Sequence, residues 1–246
     1  MKLDPYADPG LYDRVIAAGL DDLPYYMGLA KEARGPVLEL ACGSGRLTLP
    51  LAKAGVEVCG LDSSEAMLDA AETKAAAEGL QVEWVRADMR HFQLGRPFAL
   101  VILAFNSLQH LLERSEVEAL LKRVRSHLAP GGRFAFDVHN PKLDLLARDP
   151  VERYFVEPSP EAREDEVVMW EGVRYDSAAQ VNHITWTLKG VSGGEEREIR
   201  LALRQYFPQE LRALLEYNGF KVEHCYGDFG KKPFGDGDLK QVLVCT

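Results

Sequence analysis

Residues 36–48 read Pro-Val-Leu-Glu-Leu-Ala-Cys-Gly-Ser-Gly-Arg-Leu-Thr. Val37 to Leu40 make a short, largely apolar run that predicts a buried strand, and it passes into the small residues Ala41 and Cys42. Gly43 and Gly45 bracket Ser44 in a sharp turn, after which Leu47, Leu49, Leu51 and Ala52 open a helical run. A strand, a glycine turn and a helix in succession let a ligand approach bare backbone at a helix N-terminus. Glycine suits that turn because it accepts positive φ and carries no Cβ.

One Gly-x-Gly is weak evidence, so the continuation decides. Val56, Val58 and Leu61 predict a second strand ending at Asp62, with Ser63 and Ser64 before the next helix. Asp62 lies about 20 residues past the glycine turn, where an acidic residue meets ribose hydroxyls in nucleotide-binding βαβ units. A third strand, Val82 to Val85, leads into Arg86-Ala87-Asp88-Met89. Three successive strands thus end in small, acidic or polar turns, the carboxyl ends at which open parallel sheets hold ligands.

With these residues in view, the sequence resembles the class I S-adenosylmethionine-dependent methyltransferases. Val37 to Gly45 is similar to the family's first motif, Glu/Asp-x-Gly-x-Gly-x-Gly, with Ala41 in place of the first glycine. Gly60-Leu-Asp62-Ser-Ser resembles the second-strand motif, and Ala87-Asp88-Met89 the adenine-side motif. Ile102 to Leu111 resembles the segment beneath the reactive methyl, which includes Ala104, and Pro130-Gly-Gly-Arg-Phe the turn before the fifth strand. The matches span roughly residues 36–138. The resemblance implies a Rossmann-like α/β fold whose seven-stranded sheet is mostly parallel with one antiparallel strand. It also implies S-adenosylmethionine as methyl donor, S-adenosylhomocysteine as its product, and no metal.

The 246 residues suffice for one domain with an embellishment or a small second lobe. With 46% hydrophobic and 27% charged residues, the composition is that of an ordinary globular protein. No apolar run approaches the roughly 20 residues that span a bilayer, and the first ten residues are too polar for a secretory signal. Cys42, Cys59, Cys225 and Cys245 are scattered without a C-x-x-C, which favours reduced thiols and a cytoplasmic protein. A net charge of −9 without a basic stripe argues against nucleic acid as partner. Asn106-Ser-Leu-Gln also departs from the Asn/Asp-Pro-Pro-Tyr motif of enzymes that methylate the amines of DNA bases.

Residues 1–35 read as an N-terminal helical cover, with Asp21-Asp22 as cap and Pro24 in the first turn of a helix carrying Leu23, Tyr26, Met27 and Ala30. Phe98 to Phe105 predicts a central strand buried on both faces. Ser115-x-x-Glu118 predicts a capping box for the helix bearing Val117, Leu120, Leu121, Val124 and Leu128, and Phe134 to Val138 the following strand. Near residue 150 the pattern changes to strands at 151–156, 167–175, 181–188 and 199–206, with a Gly193-Gly194 turn and a linker-like Pro158-Ser-Pro160. This predicts an antiparallel β subdomain, residues 141–207, inserted into a methyltransferase domain formed by 1–140 and 208–246. A helix after Pro208, a strand over 220–226, a mobile loop over 227–237 and a last strand over 241–245 close the chain. By the resemblance, the insertion shapes an acceptor pocket or a homodimer contact.

Gly43 and Gly45 are expected to admit the donor's amino-acid end, Asp62 with Ser63 to hold the ribose, and Asp88 with Met89 to meet the adenine. Ala41 and Tyr12 join that expected contact set through the motif and the cover. Met67, one turn after Asp62, is a core side chain by type and an adenosine contact by place. His110 and His139 are the histidines predicted at the ligand-facing strand ends, as base or acceptor contact, and Asn106 is a candidate hydrogen-bond partner for the acceptor. The expected reaction is in-line methyl transfer to a small-molecule acceptor, an amine ahead of an oxygen nucleophile, because a neutral amine needs little help from a base. Two other classes share part of the pattern. An NAD(P)-dependent oxidoreductase shares βαβ, glycines and Asp62, but Thr48 stands where its third glycine belongs. A non-catalytic module that binds S-adenosylmethionine shares the whole donor set. RNA or protein methylation is disfavoured by the absence of a basic groove.

Overall fold

Two sheets, reached by alternation of strand and helix and then by a run of strands, make up the computed structural model, which describes residues 2–13, 21–156, 168–189 and 196–246. In chain order the elements are β1 (Lys2–Leu3), α1 (Pro9–Leu11), α2 (Leu23–Glu32), β2 (Val37–Leu40), α3 (Thr48–Lys53), β3 (Val58–Asp62), α4 (Glu65–Ala77) and β4 (Glu83–Arg86). They continue with β5 (Phe98–Leu103), a 3-10 turn (Ser107–His110), α5 (Arg114–His127), β6 (Leu128–His139), α6 (Leu143–Leu146) and β7 (Tyr154–Val156). The chain ends with β8 (Val168–Asp176), β9 (Val181–Lys189), β10 (Arg197–Arg204), α7 (Pro208–Tyr217), β11 (Val222–Tyr226) and β12 (Lys240–Cys245).

The larger sheet has the order β11-β12-β6-β5-β2-β3-β4. Only β12 runs against its neighbours, so the expected seven-stranded, mostly parallel sheet with one antiparallel strand is what the chain forms. Helices cover both of its faces, which explains the unbroken apolar run of β5. Val101 and Leu103 pack with Val117, Leu120, Leu121 and Val124 of α5 on one side. Leu100 and Ile102 pack with Tyr26, Leu29 and Ala30 of α2 on the other. The strand order reverses between β2 and β5, and a crevice opens outside their carboxyl ends.

The second sheet has the order β1-β10-β9-β8-β7. Its last four strands are antiparallel, whereas β1 joins β10 in parallel, so the N terminus is a strand of this sheet rather than a purely helical cover. The expected strand over 151–156 shortens to Tyr154–Val156, because Asp149 Oδ1 accepts from the Val151 N–H and holds a turn there. Val167, Pro158 to Pro160 and the Gly193-Gly194 turn lie outside the described residues.

Two caps differ from expectation. The capping box of α5 is formed by Glu113 and Glu116, two residues ahead of the Ser115 pattern. Glu116 Oε2 accepts from the backbone N–H groups of Leu112 (2.9 Å) and Glu113 (3.0 Å). Asp22 stands at the N-cap of α2, but its carboxylate accepts two bonds from the Arg46 guanidinium, at 2.5 and 2.6 Å, and makes no side-chain cap. The segment 227–237, expected to be a mobile loop, is tied by hydrogen bonds from the Gly227 N–H to the Lys232 carbonyl and from the Phe234 N–H to the Cys225 carbonyl.

Candidate functional site

The turn after β2 places Ala41, Gly43 and Gly45 at φ of +52°, +54° and +85°. Left-handed backbone costs a residue with a Cβ roughly 1–2 kcal/mol, so Ala41, standing where the motif has glycine, carries local strain. The two glycines serve different ends. A Cβ on Gly43 would meet nothing within 4 Å, and Gly43 faces the cavity described below. A Cβ on Gly45 would lie 3.0 Å from Leu49 and 3.2 Å from Trp84, so this glycine makes room for packing.

Asp62, half-buried at the end of β3, ties two strand ends together. Its Oδ2 accepts from the Gly43 N–H and its Oδ1 from the Ser64 N–H, both at 2.8 Å. Burial raises its carboxyl, opposed by the hydrogen bonds from the Ser64, Gly43 and Ser63 N–H groups. Asp62 and Ser63 both line the cavity.

The N-terminal segment is latched across this turn. Asp13 accepts from the Ser44 hydroxyl and from Lys74, each at 2.5 Å. The Ser64 hydroxyl donates to the Tyr6 carbonyl at 3.2 Å, and the Tyr6 hydroxyl shares a 2.9 Å hydrogen bond with His110 Nε2. Tyr12 lies between Tyr6 and Phe105, with ring centroids 5.7 and 6.5 Å away. Burial raises both the Tyr6 and Tyr12 phenols, which stay protonated.

Asp88, after β4, is held by Arg90, which also binds Glu116. The Arg90 hydrogen bonds hold the Asp88 carboxyl below its ordinary value. Through Glu116 the turn after β4 is thereby anchored to the N-terminus of α5. Asp88, Met89, Ala87 and Leu61 line a recess of about 180 Å³, which shares Ala41, Asp62, Ser63, Met89 and His110 with the main cavity.

After β5, Phe105 and Asn106 are both left-handed, with φ of +55° and +58°. Asp137 fixes them: its Oδ1 accepts from the Phe105 N–H at 2.8 Å and from the Tyr26 hydroxyl at 2.7 Å. Asn106 is 6% exposed, and its Oδ1 is buried without a partner among the described residues. Gln109 of the 3-10 turn accepts from the His139 N–H (3.1 Å) and donates to the Arg204 carbonyl (2.8 Å), joining the two sheets. His139 lines the cavity and is exposed to it. The protein walls around the cavity, with Lys240 nearby, lower the His139 imidazole to about 4, and burial lowers that of His110, so both rings are neutral at neutral pH.

These strand ends and one face of the second sheet enclose a cavity of about 1090 Å³. Tyr12, Ala41, Gly43, Asp62, Ser63, Met89, Asn106, His110 and His139 line it. Gly45, Met67 and Ala104 do not: Met67 and Ala104 are 1% and 5% exposed and form the packing beneath. The cavity also takes in Tyr6, Glu171, Asn182, Trp186 and Lys240, which the sequence reading did not single out.

A family model described as a methyltransferase domain matches residues 37–132. A protein of Geobacillus sp. (strain WCH70), described as a methyltransferase, is 30% identical over 197 residues, covering 78% of this chain and 76% of its own length. The chain belongs to the class I S-adenosylmethionine-dependent methyltransferases. The solved structure of the CcbJ methyltransferase from Streptomyces caelestis is 30% identical, with a TM-score of 0.87 over 98% of this chain and 97% of that one. A shorter match, 36% identical over 96 residues, covers 39% of this chain and 36% of the dTDP-3-amino-3,6-dideoxy-alpha-D-glucopyranose N,N-dimethyltransferase of Streptomyces fradiae.

The chain is therefore a methyltransferase whose methyl donor is S-adenosylmethionine, and the oxidoreductase alternative falls away. The strand ends fit this donor on their own chemistry. Asp62 offers carboxylate lone pairs at the end of β3, Gly43 leaves space where a Cβ would stand, and Asp88 borders a recess continuous with both. All four cysteines of the methyltransferase are free thiols. No helix among its described residues is long and apolar enough to cross a membrane.

Proposed function

We propose that the chain transfers the methyl group to the nitrogen of a small-molecule amine. The observation that carries this reading is continuity: the strand ends fitted to the donor and the wall of the second sheet border one cavity of about 1090 Å³. S-adenosylmethionine supplies a methyl group on a cationic sulfonium that becomes a neutral thioether on transfer. Asp62 would hold its ribose hydroxyls, Asp88 and Met89 its adenine, and the Gly43 turn its amino-acid end. Tyr6 and Tyr12, latched over the turn, would exclude water and fix the direction of approach, and orientation alone is worth roughly 7–11 kcal/mol of barrier.

The histidines favour nitrogen over oxygen. A hydroxyl acceptor must surrender its proton to an effective base as it attacks, whereas a neutral amine attacks with its own lone pair. His139, at about 4, is a weak base, and His110 is lowered as well. Both serve better as neutral hydrogen-bond partners that orient the acceptor, with Asn106. The amine of the sugar named in the Streptomyces fradiae relative is an acceptor of this kind.

The test is methyl transfer from labelled S-adenosylmethionine to a panel of amines and matched alcohols, with product identification by mass spectrometry. N-methyl products are expected. Exclusive O-methylation, or S-adenosylhomocysteine binding without transfer to any acceptor in a metabolite extract, would overturn the proposal.

A further inference from the structure

The donor's strand ends account for only part of the cavity; the far wall is one face of the second sheet. Alternate residues of β8, β9 and β10 turn inward, and six of them are apolar: Met169, Val173, Ile184, Trp186, Leu201 and Leu203. They form a continuous patch, because Ile184 is paired with Val173 on one side and with Leu201 on the other. Such an apolar face, left to water, wants an apolar occupant.

Polar groups on the wall define what that occupant carries. Asn182, paired with Leu203, has its Oδ1 buried without a partner among the described residues, as has Asn106. The bond from Gln109 to the Arg204 carbonyl brings the turn that Asn106 opens against the end of β10, next to Leu203. Both carboxamides thus belong to the end of the cavity where turn and sheet meet. The two residues line the cavity while their Oδ1 atoms are covered by protein, so the pair marks this as the polar end of the cavity.

Charge weighs against one kind of acceptor. Three cations line the main cavity: Lys142, Arg148 and Lys240. Arg148 lies 3.5 Å from Glu171 and stacks on Tyr154 with its guanidinium carbon 4.2 Å from the ring centroid. Lys240 lies 3.5 Å from the buried Asp137. Among the described residues that leaves Lys142 to meet a diphosphate, in a cavity that also holds the carboxylates of Asp62 and Glu171.

We propose that the acceptor is an amphipathic amine without phosphates, its apolar body on the Ile184 patch and its polar end beside Asn106 and Asn182. The proposal rests on the amine methyltransferase reading above and narrows its substrate class. It separates this chain from the relative whose named substrate is a dTDP-linked amino sugar.

Calorimetry on the full chain loaded with S-adenosylhomocysteine tests it with three probes: the methyl and n-octyl glycosides of 3-amino-3,6-dideoxyglucose and the dTDP-linked sugar. The octyl glycoside is expected to bind at least tenfold more tightly than the methyl glycoside, and the dTDP-linked sugar more weakly than the octyl glycoside. Ile184→Asp should erase the octyl preference while S-adenosylhomocysteine still binds, and Asn182→Ala should weaken both glycosides by a similar factor. Should Ile184→Asp fail to bind S-adenosylhomocysteine, Leu201→Gln carries the same comparison. Equal affinity for the two glycosides, binding of neither, or preference for the dTDP-linked sugar would overturn the inference. Failure of the unaltered protein to bind S-adenosylhomocysteine would instead overturn the reading beneath it.

Discussion

Asp137 Oδ1 accepts a hydrogen bond from the Phe105 N–H at 2.8 Å, and this bond pins two consecutive left-handed residues at the mouth of the site. The carboxylate is fully buried on β6 and also receives the Tyr26 hydroxyl from α2, with Lys240 Nζ at 3.5 Å. Burial raises its carboxyl, while Lys240 and the two donors pull the other way. One side chain therefore couples a cover helix, the turn that presents Asn106, and a cationic residue at the cavity wall.

Asp137→Ala is expected to destabilise the fold by about 3 kcal/mol or more, since it strands two buried donors at about 1–3 kcal/mol each and leaves a void. Asp137→Asn keeps an acceptor oxygen and should cost less. Urea unfolding without ligand measures both. An Asp137→Ala protein as stable as the parent would show that the turn is held by something else.

Asp62 has two duties, which the sequence motif alone does not separate. Its carboxylate closes the glycine turn through Gly43 and Ser64, and it faces the cavity. Asp62→Ala should weaken S-adenosylhomocysteine binding by about 1.5–3 kcal/mol, the usual range for hydrogen bonds to a charged group, or roughly 10- to 150-fold. Because the turn loses two bonds as well, melting temperature should fall a few degrees while the circular dichroism spectrum is kept. Unchanged affinity in the folded variant would leave Asp62 a purely structural tie.

The strand ends that border the cavity were legible because they are local: strand, glycine turn, Asp62 and the Asp88-Met89 turn each sit within a few residues of a pattern, although the pattern did not separate Gly45, Met67 and Ala104, which pack beneath, from the residues that line the cavity. The central sheet was legible because strands buried on both faces read as unbroken apolar runs, as in β5. The wall that the second sheet contributes was not. Which face of β8 or β9 turns toward the cavity depends on pairing register and on what covers the other face, and neither Glu171 nor Asn182 announces itself in sequence. Tyr6 meets His110 across 104 residues, a pairing without local signal. The cap of α5 was misplaced by two residues because Ser115-x-x-Glu118 and Glu113-x-x-Glu116 overlap, and the ion pair with Arg90 favours the second.

Glu39 offers a pH-dependent test of the strand beneath the glycine turn. It is 4% exposed on β2, and the Thr48 hydroxyl donates to its Oε2. Burial raises its carboxyl to about 8, with Thr48 and Arg46 opposing and Asp22 and Asp62 adding to the rise. The unfolded chain has an ordinary carboxyl, so between about 4.5 and 8 the folded state binds the extra proton. The stability that Glu39 contributes is thus full at low pH and is lost as pH rises through about 8. Glu39→Gln, a neutral isostere that keeps an acceptor for Thr48, removes this dependence. Its melting temperature is expected to exceed the parent's by more at pH 8.5 than at pH 5.5, in buffers of equal ionic strength. A difference between the two proteins that is the same at both pH values would mean that Glu39 carries the same charge in the folded and unfolded chain.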